Sequence, residues 1–382
     1  MYLPRIINKK ITSTLTQKSV LLLGPRQTGK SSLIREELNP DRVFNLLDQS
    51  TFLMLTRRPS TLRESLKETD RFVVIDEIQK LPSLMDEVHL MIEEMKVRFL
   101  LTGSSARKLR RSYTKLMGGR TRSIQIHPFV YPEIKAQFDL KKILSFGTLP
   151  NVFFSAEPNA ELTDYVGDYL QQEILAEALT RGVEQYSRFL SHIASCAVQT
   201  VNIDGLSRDA QLSPSSTRRY LEILSDTMIA AQLECWKLGT KRKSASTTKL
   251  VFFDVGVVNT LLDIPQYSPV NPNAGMQLEQ YIGQELLAYR DYSDKKELLN
   301  FWRSTDKFEV DFILNDTAIE VKHSDHISEK ELKGLAAIDQ EGDWAHKIVV
   351  SRDPYRRKIG SFEVLPVQDF LEDLWAGRFS RS

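Results

Sequence analysis

A chain of 382 residues is longer than one hydrophobic core usually supports, so roughly two to four domains are expected. Its 51 Lys and Arg against 50 Asp and Glu leave a net charge of +1, which excludes a global basic field and leaves nucleic-acid binding to local patches. With 41% hydrophobic and 26% charged residues the composition is neither disordered nor fibrous, and two cysteines, Cys196 and Cys235, exclude a disulfide framework and fit a reducing compartment. MYLPRIINKKIT at the start lacks an apolar signal core, and no run approaches the roughly eighteen apolar residues of a membrane span, which predicts a cytoplasmic protein.

In chain order, SVLLL at 19–23, RFVVID at 71–76 and VRFLLTG at 97–103 are short apolar runs separated by helical patterns such as SLMDEVHLMIEEM at 83–95. That alternation predicts buried parallel strands in an α/β sheet. A Pro-punctuated, helix-rich stretch follows and predicts a helical lid or connector over 139–185. Residues 186–249 read as a winged helix-turn-helix, and 250–382 as a mixed α/β segment ending the chain, after a first domain over 1–138.

GPRQTGKS at 24–31 satisfies G-x-x-x-x-G-K-[ST] between an apolar strand and a helix, the context in which backbone N–H groups and a helix dipole cradle phosphate. Gly24, Pro25, Arg26, Gln27, Thr28, Gly29, Lys30, Ser31 and Ser32 are therefore expected to bind ATP, with Lys30 on the β- and γ-phosphates and Ser31 on Mg²⁺. RFVVIDEIQK adds Asp76 as a second magnesium contact and Glu77 as the general base for water. At the end of the third strand Ser104 or Ser105 is a candidate sensor of the γ-phosphate, and within GGRTRS Arg120 is a candidate finger for a neighbouring subunit, with Arg122 beside it. A structural arginine explains that stretch equally well.

Between 200 and 233 two helices flank a turn through Leu212 to Pro214, and the second opens with Thr217, Arg218 and Arg219. Polar and basic residues at the start of such a helix reach bases and phosphates, and KLGTKRKSASTTK adds a basic wing of Lys237, Lys241, Arg242, Lys243 and Lys249. A winged helix used for protein contacts has the same grammar.

KFEVDFILNDTAIEVK at 307–322 predicts a hairpin. If Asn315 and Asp316 form its two-residue loop, Leu314 faces Thr317, Asp311 faces Glu320 and Glu309 faces Lys322. Like charges across a ladder repel, and a divalent cation held by Asp311, Glu320 and the intervening carbonyl would remove that repulsion, with Lys322 beside the reacting phosphate. The preceding helical stretch offers Glu279 or Glu285 as a further acid. An exposed acidic hairpin is the plainer explanation.

GPRQTGKS, VVIDEIQKLP, LLTGSSARKL, the GGR stretch, FGTLP, VFFDVGVVNTLL and the hairpin, in this order, resemble a widespread prokaryotic family of AAA+-like P-loop ATPases with a C-terminal domain of long-unassigned function. The C-terminal part also resembles the PD-(D/E)XK nuclease superfamily, whose Asp, gap, Glu-x-Lys pattern matches Asp311, Glu320 and Lys322, with Glu279 in the place of its helical acid. The resemblance implies an ATPase that assembles into homo-oligomers and acts on DNA, and leaves the DNA structure open; branched or damaged DNA is the expected substrate because a nuclease-like fold recognises backbone geometry without needing sequence. A nucleotide-gated endonuclease and a non-cleaving ATP-controlled switch are the competing expectations.

Overall fold

The computed structural model describes residues 2–105, 119–170, 183–237 and 247–380. Two compact units emerge, one of residues 1–129 with 226–229, the other of 130–225 with 230–382.

The first unit is an α/β layer on a parallel sheet of five strands, β1 (Ser19–Leu23), β2 (Arg42–Asn45), β3 (Phe72–Asp76), β4 (Arg98–Gly103) and β5 (Thr121–Gln125), in the order β2-β3-β4-β1-β5. All four pairings are parallel, so the strand ends that carry the loops share one edge. Every residue of β1 is buried, as expected for an inner strand with helices on both faces. The helix Leu84–Glu94 covers one face with Leu84, Met85, Val88, Met91 and Ile92, whose helical spacing places them in the same core as Val73, Ile75, Phe99 and Leu101.

The second unit holds two sheets. Helix Val183–Ala194, strand β6 (Thr200–Val201), helices Ile203–Asp209 and Pro214–Asp226, and strands β7 (Ala230–Glu234) and β8 (Thr248–Phe252) follow in that order, and the strands pair antiparallel as β6-β8-β7. Asn202 caps the helix Ile203–Asp209 by accepting from the N–H groups of Asp204 and Gly205. The expected border between residues 249 and 250 falls inside β8.

The second sheet has six strands, β9 (Leu299–Arg303), β10 (Glu309–Leu314), β11 (Thr317–Val321), β12 (His346–Ser351), β13 (Arg357–Ile359) and β14 (Phe362–Pro366), ordered β13-β14-β12-β11-β10-β9. The helix Ala274–Tyr292 packs on it through Gly283, where an added Cβ would lie 2.9 Å from the Phe312 ring and 3.0 Å from Val251. The two sheets are bridged directly, since the Trp236 N–H donates to the Phe301 carbonyl at 2.7 Å.

The hairpin closes at Asn315, whose φ of 56° is the left-handed conformation an Asn-led turn uses. Leu314 pairs with Thr317, Ile313 with Ala318 and Phe312 with Ile319. The pairing with β11 ends there, short of the expected Asp311–Glu320 pair; β10 shifts register against β9 between Val310 and Ile313, and the Asp311 carboxylate accepts the Val321 N–H at 2.8 Å.

Candidate functional site

The phosphate loop leaves β1 at Gly24 and enters the helix Lys30–Glu37 through Gly29, whose φ of 92° needs a residue without Cβ. Gly24 is as constrained, since a Cβ there would lie 2.5 Å from the Ile126 carbonyl oxygen. Lys30 is buried, and its ammonium donates to the carbonyls of Gly24 at 2.7 Å and Pro25 at 2.9 Å, so the charge already lies within the curl of the loop. Thr28 donates to the Pro25 carbonyl at 2.8 Å and tightens the same turn.

Asp76 at the end of β3 accepts the Ser31 hydroxyl at 2.9 Å and is also bonded by the Thr102 hydroxyl. A hydroxyl and a carboxylate in direct contact beside a phosphate loop are hard oxygen donors that fit Mg²⁺, and Ser31 and Asp76 are the residues that would hold it. Glu77 follows in the left-handed region at φ 62°, a strained setting for a glutamate, and its N–H donates to Thr102 at 3.0 Å. The side-chain amide of Gln79 reaches both the Glu77 carboxylate and, at 3.0 Å, the Ser104 hydroxyl. Thus Ser104 joins the acidic end of β3, while Ser105 is buried after it.

Thr102 and Gln79 were not singled out from the sequence, and neither was Arg5. The Arg5 guanidinium is buried, donates to the carbonyls of Thr28 at 2.6 Å and His127 at 2.6 Å, and lies over the Phe129 ring. It braces the loop from outside. Nothing local in MYLPRIIN announces this, because the partners lie 23 and 122 residues away.

Arg120, the candidate finger for a neighbouring subunit, is tied into the sheet of its own unit. Its carbonyl accepts the N–H of Ser19, at the start of β1, and its guanidinium pairs with Glu93. The parallel five-residue strand β1 separates it from the loop by roughly 17 Å. Arg122 is exposed on β5.

In the second unit Thr217 is fully buried, accepts the Ser207 hydroxyl at 2.8 Å and donates to the Ser213 carbonyl, so it joins two helices instead of facing a ligand. Arg218 and Arg219 are exposed near the start of the helix Pro214–Asp226, and Lys237 is exposed after β7. Lys241, Arg242 and Lys243 lie outside the described residues. Lys249 is no wing residue: it sits in the central strand β8 with 0% exposure.

Its ammonium lies among the carboxylates of the nuclease-like pattern. Lys249 Nζ is 2.6 Å from Glu279, 3.3 Å from Asp311 and 3.5 Å from Glu309, and it donates to the Asp311 carbonyl at 3.3 Å. Glu279, Glu309, Asp311, Glu320, Lys322 and Arg303 line one cavity of about 390 Å³. Glu285 lies elsewhere on the helix, accepting the Tyr131 N–H at 3.0 Å and the Trp375 indole at 2.8 Å.

Burial works against the Lys249 charge, but Glu279, Asp311 and Glu309 outweigh it and hold the ammonium above the ordinary lysine value. Burial, then the charge of Asp311, pushes Glu279 and Glu320 upward against the pull of Lys249 and Lys322 respectively. Lys322 pairs with Glu320, whose other oxygen is buried without a hydrogen-bond partner. Among the described residues no three His, Cys, Asp or Glu side chains are placed to hold a metal ion. As it stands the cluster does not fit a metal, and the repulsion expected between Asp311 and Glu320 is met by lysines.

Residues 16–135 match a family model described as AAA domain. That segment, which carries the phosphate loop, is thus similar to AAA domains. Residues 137–268 and 274–370 match two domains of unknown function, DUF8612 and DUF4143. Two uncharacterized proteins, of Mycobacterium tuberculosis and Mycobacterium bovis, are each 24% identical over 302 residues, which cover 76% of this chain. The chain spans 66% of their length, just under two thirds.

Among solved structures, the ORC1 protein of Aeropyrum pernix in complex with DNA is similar at 12% identity and a TM-score of 0.27, over 69% of this chain and 94% of that one. A signal transduction ATPase with a tetratricopeptide repeat sensor from Pyrococcus horikoshii is similar at 14% identity and a TM-score of 0.27, over 76% and 47%. Likenesses of this size do not bear on activity. Among the described residues no helix is long and apolar enough to cross a membrane.

Proposed function

We propose that the protein is a magnesium-dependent ATPase that engages DNA and remodels it, branched or damaged DNA being the substrate class, and that it works as a homo-oligomer. The observation that carries the hydrolytic half is the contact of Ser31 with Asp76 at 2.9 Å beside Glu77, with the Lys30 ammonium held inside the loop. Lys30 and the loop N–H groups bind and orient the phosphates, and Lys30 exchanges its carbonyl partners for phosphate oxygens. Ser31 and Asp76 would hold Mg²⁺, which when bound would supply neutralising charge for those phosphates. Glu77 takes the proton from the attacking water, and Gln79 and Ser104 set where its carboxylate points.

The DNA half is supported by the order helix, strand, helix, helix, strand, strand in residues 183–252, which is that of a winged helix. Arg218 and Arg219 are exposed in the N-terminal half of the helix that such a domain presents to DNA. Lys241, Arg242 and Lys243 extend the same basic character in sequence.

ATP turnover measured with single-stranded, duplex, forked and four-way DNA is the test. Forked or four-way DNA is expected to stimulate the wild type several-fold over duplex, with turnover abolished in Lys30→Ala. Turnover indifferent to every DNA form would remove the DNA half of the reading, and turnover surviving in Lys30→Ala would remove the hydrolytic half.

A further inference from the structure

The position of Lys249 needs explaining on physical grounds. Its strand-mates Leu250, Val251 and Phe252 are apolar and buried, and an ammonium at 0% exposure is tolerated only where opposite charges compensate the loss of water. Those charges are supplied from elsewhere in the fold: Glu279 from the helix Ala274–Tyr292, and Glu309 and Asp311 from β10. The Phe312 ring, 5.1 Å from Nζ, closes another side. A single cation is thus surrounded by oxygen atoms of three carboxylates and a backbone carbonyl, the donor types that hold a hard divalent metal.

Two further observations bear on what the seat is for. Four carboxylates around the cavity, Glu279, Glu309, Asp311 and Glu320, face three cations, Lys249, Lys322 and Arg303, and without Lys249 the formal excess would be two negative charges, that of one divalent ion. Independently, Glu320 is 7% exposed and its second carboxylate oxygen is buried with no hydrogen-bond partner, so Lys249 leaves one donor of the cluster unused. A metal has several coordination positions where the ammonium has three protons, and it would take up that oxygen as well.

We propose that Lys249 is the resident cation of this cluster: it occupies the seat of a divalent metal, the chain takes no metal there while the lysine is present, and Lys249→Met converts the cluster into a divalent-cation site. The two cations exclude one another because they would share the same carboxylates at contact distance. The inference is independent of the ATPase reading, since none of these residues belongs to the phosphate loop.

Mn²⁺ alone is the probe, its bound equivalents counted on the full chain by electron paramagnetic resonance without nucleotide. Wild type, Asp311→Asn and Glu320→Gln are expected to bind equal equivalents. Lys249→Met is expected to bind one more, and Lys249→Met with Asp311→Asn to lose it again. Loss of a bound equivalent when Asp311→Asn or Glu320→Gln is introduced into the wild type would overturn the proposal, because a metal would then coexist with the lysine. So would a folded Lys249→Met protein with no added equivalent. If Lys249→Met does not fold without metal, it and Lys249→Ala are expected to fold in Mn²⁺, and failure of both would show that no metal can take the seat.

Discussion

At the scale of single residues, Asp76 and Glu77 are neighbours in sequence yet are positioned by different groups. Asp76 is fixed by two hydroxyls, Ser31 and Thr102, whereas Glu77 is turned out by a left-handed backbone and held through Gln79. Glu77→Gln removes the proton acceptor while keeping a hydrogen-bonding side chain of the same size. Its turnover is expected to fall by roughly 10²–10⁴-fold with nucleotide affinity kept, as a binding titration beside a steady-state assay would show. Arg5 acts on the loop's shape instead of the chemistry. Arg5→Ala leaves the carbonyls of Thr28 and His127 without their charged donor, and about 1.5–3 kcal/mol per such bond predicts at least about tenfold weaker binding of a fluorescent ATP analogue. Unchanged affinity would show that the loop holds its form alone.

At the scale of elements, two close approaches join the parts of the second unit. Gly283 lets the helix Ala274–Tyr292 touch both β8 at Val251 and β10 at Phe312, which is what brings Glu279 to Lys249. Gly283→Ala would set a methyl at 2.9 Å from the Phe312 ring, and overpacking of this kind costs about 1–3 kcal/mol. The urea midpoint is expected to drop accordingly, and a midpoint unchanged from the wild type would mean that the helix shifts freely over the sheets. The end of the β10–β11 ladder lies beside the same cluster. Past Phe312 the Asp311 carboxylate accepts the Val321 N–H and faces Lys249 at the same time.

At the scale of the whole molecule, the second unit carries buried acids that tie its stability to pH. Burial raises Glu285 from 4.5 to about 8 against the donors Trp375, Tyr281 and Tyr131, and raises Asp254 from 3.8 to about 6 against backbone donors led by Thr148. A carboxyl whose folded value lies above its unfolded one contributes stability that is complete below the unfolded value and is lost as pH rises through the folded value. For Glu285 that window runs from 4.5 to about 8. The unfolding midpoint is therefore expected to fall between pH 5 and pH 8, and to fall less in Glu285→Gln. Equal slopes for the two proteins would show that Glu285 is ionised in the folded state throughout.

The form of the phosphate loop was legible in the residues because its parts are local: glycines at 24 and 29 with Lys30 and Ser31 between a strand and a helix are the pattern of a loop that curls on itself. The parallel sheet was legible for a similar reason, since buried strands must be apolar along their length. The surroundings of Arg120 and Thr217 were not legible because exposure and partners depend on residues elsewhere in the sequence, Glu93 in one case and Ser207 in the other. Lys249 is the strongest instance. In sequence it closes a basic, Ser- and Thr-rich loop and reads as a solvated charge. Only the packing of β8 against the helix Ala274–Tyr292 and β10 removes it from water and surrounds it with carboxylates, because the strength of a charge's interactions is set by burial and distance, which adjacent residues do not encode.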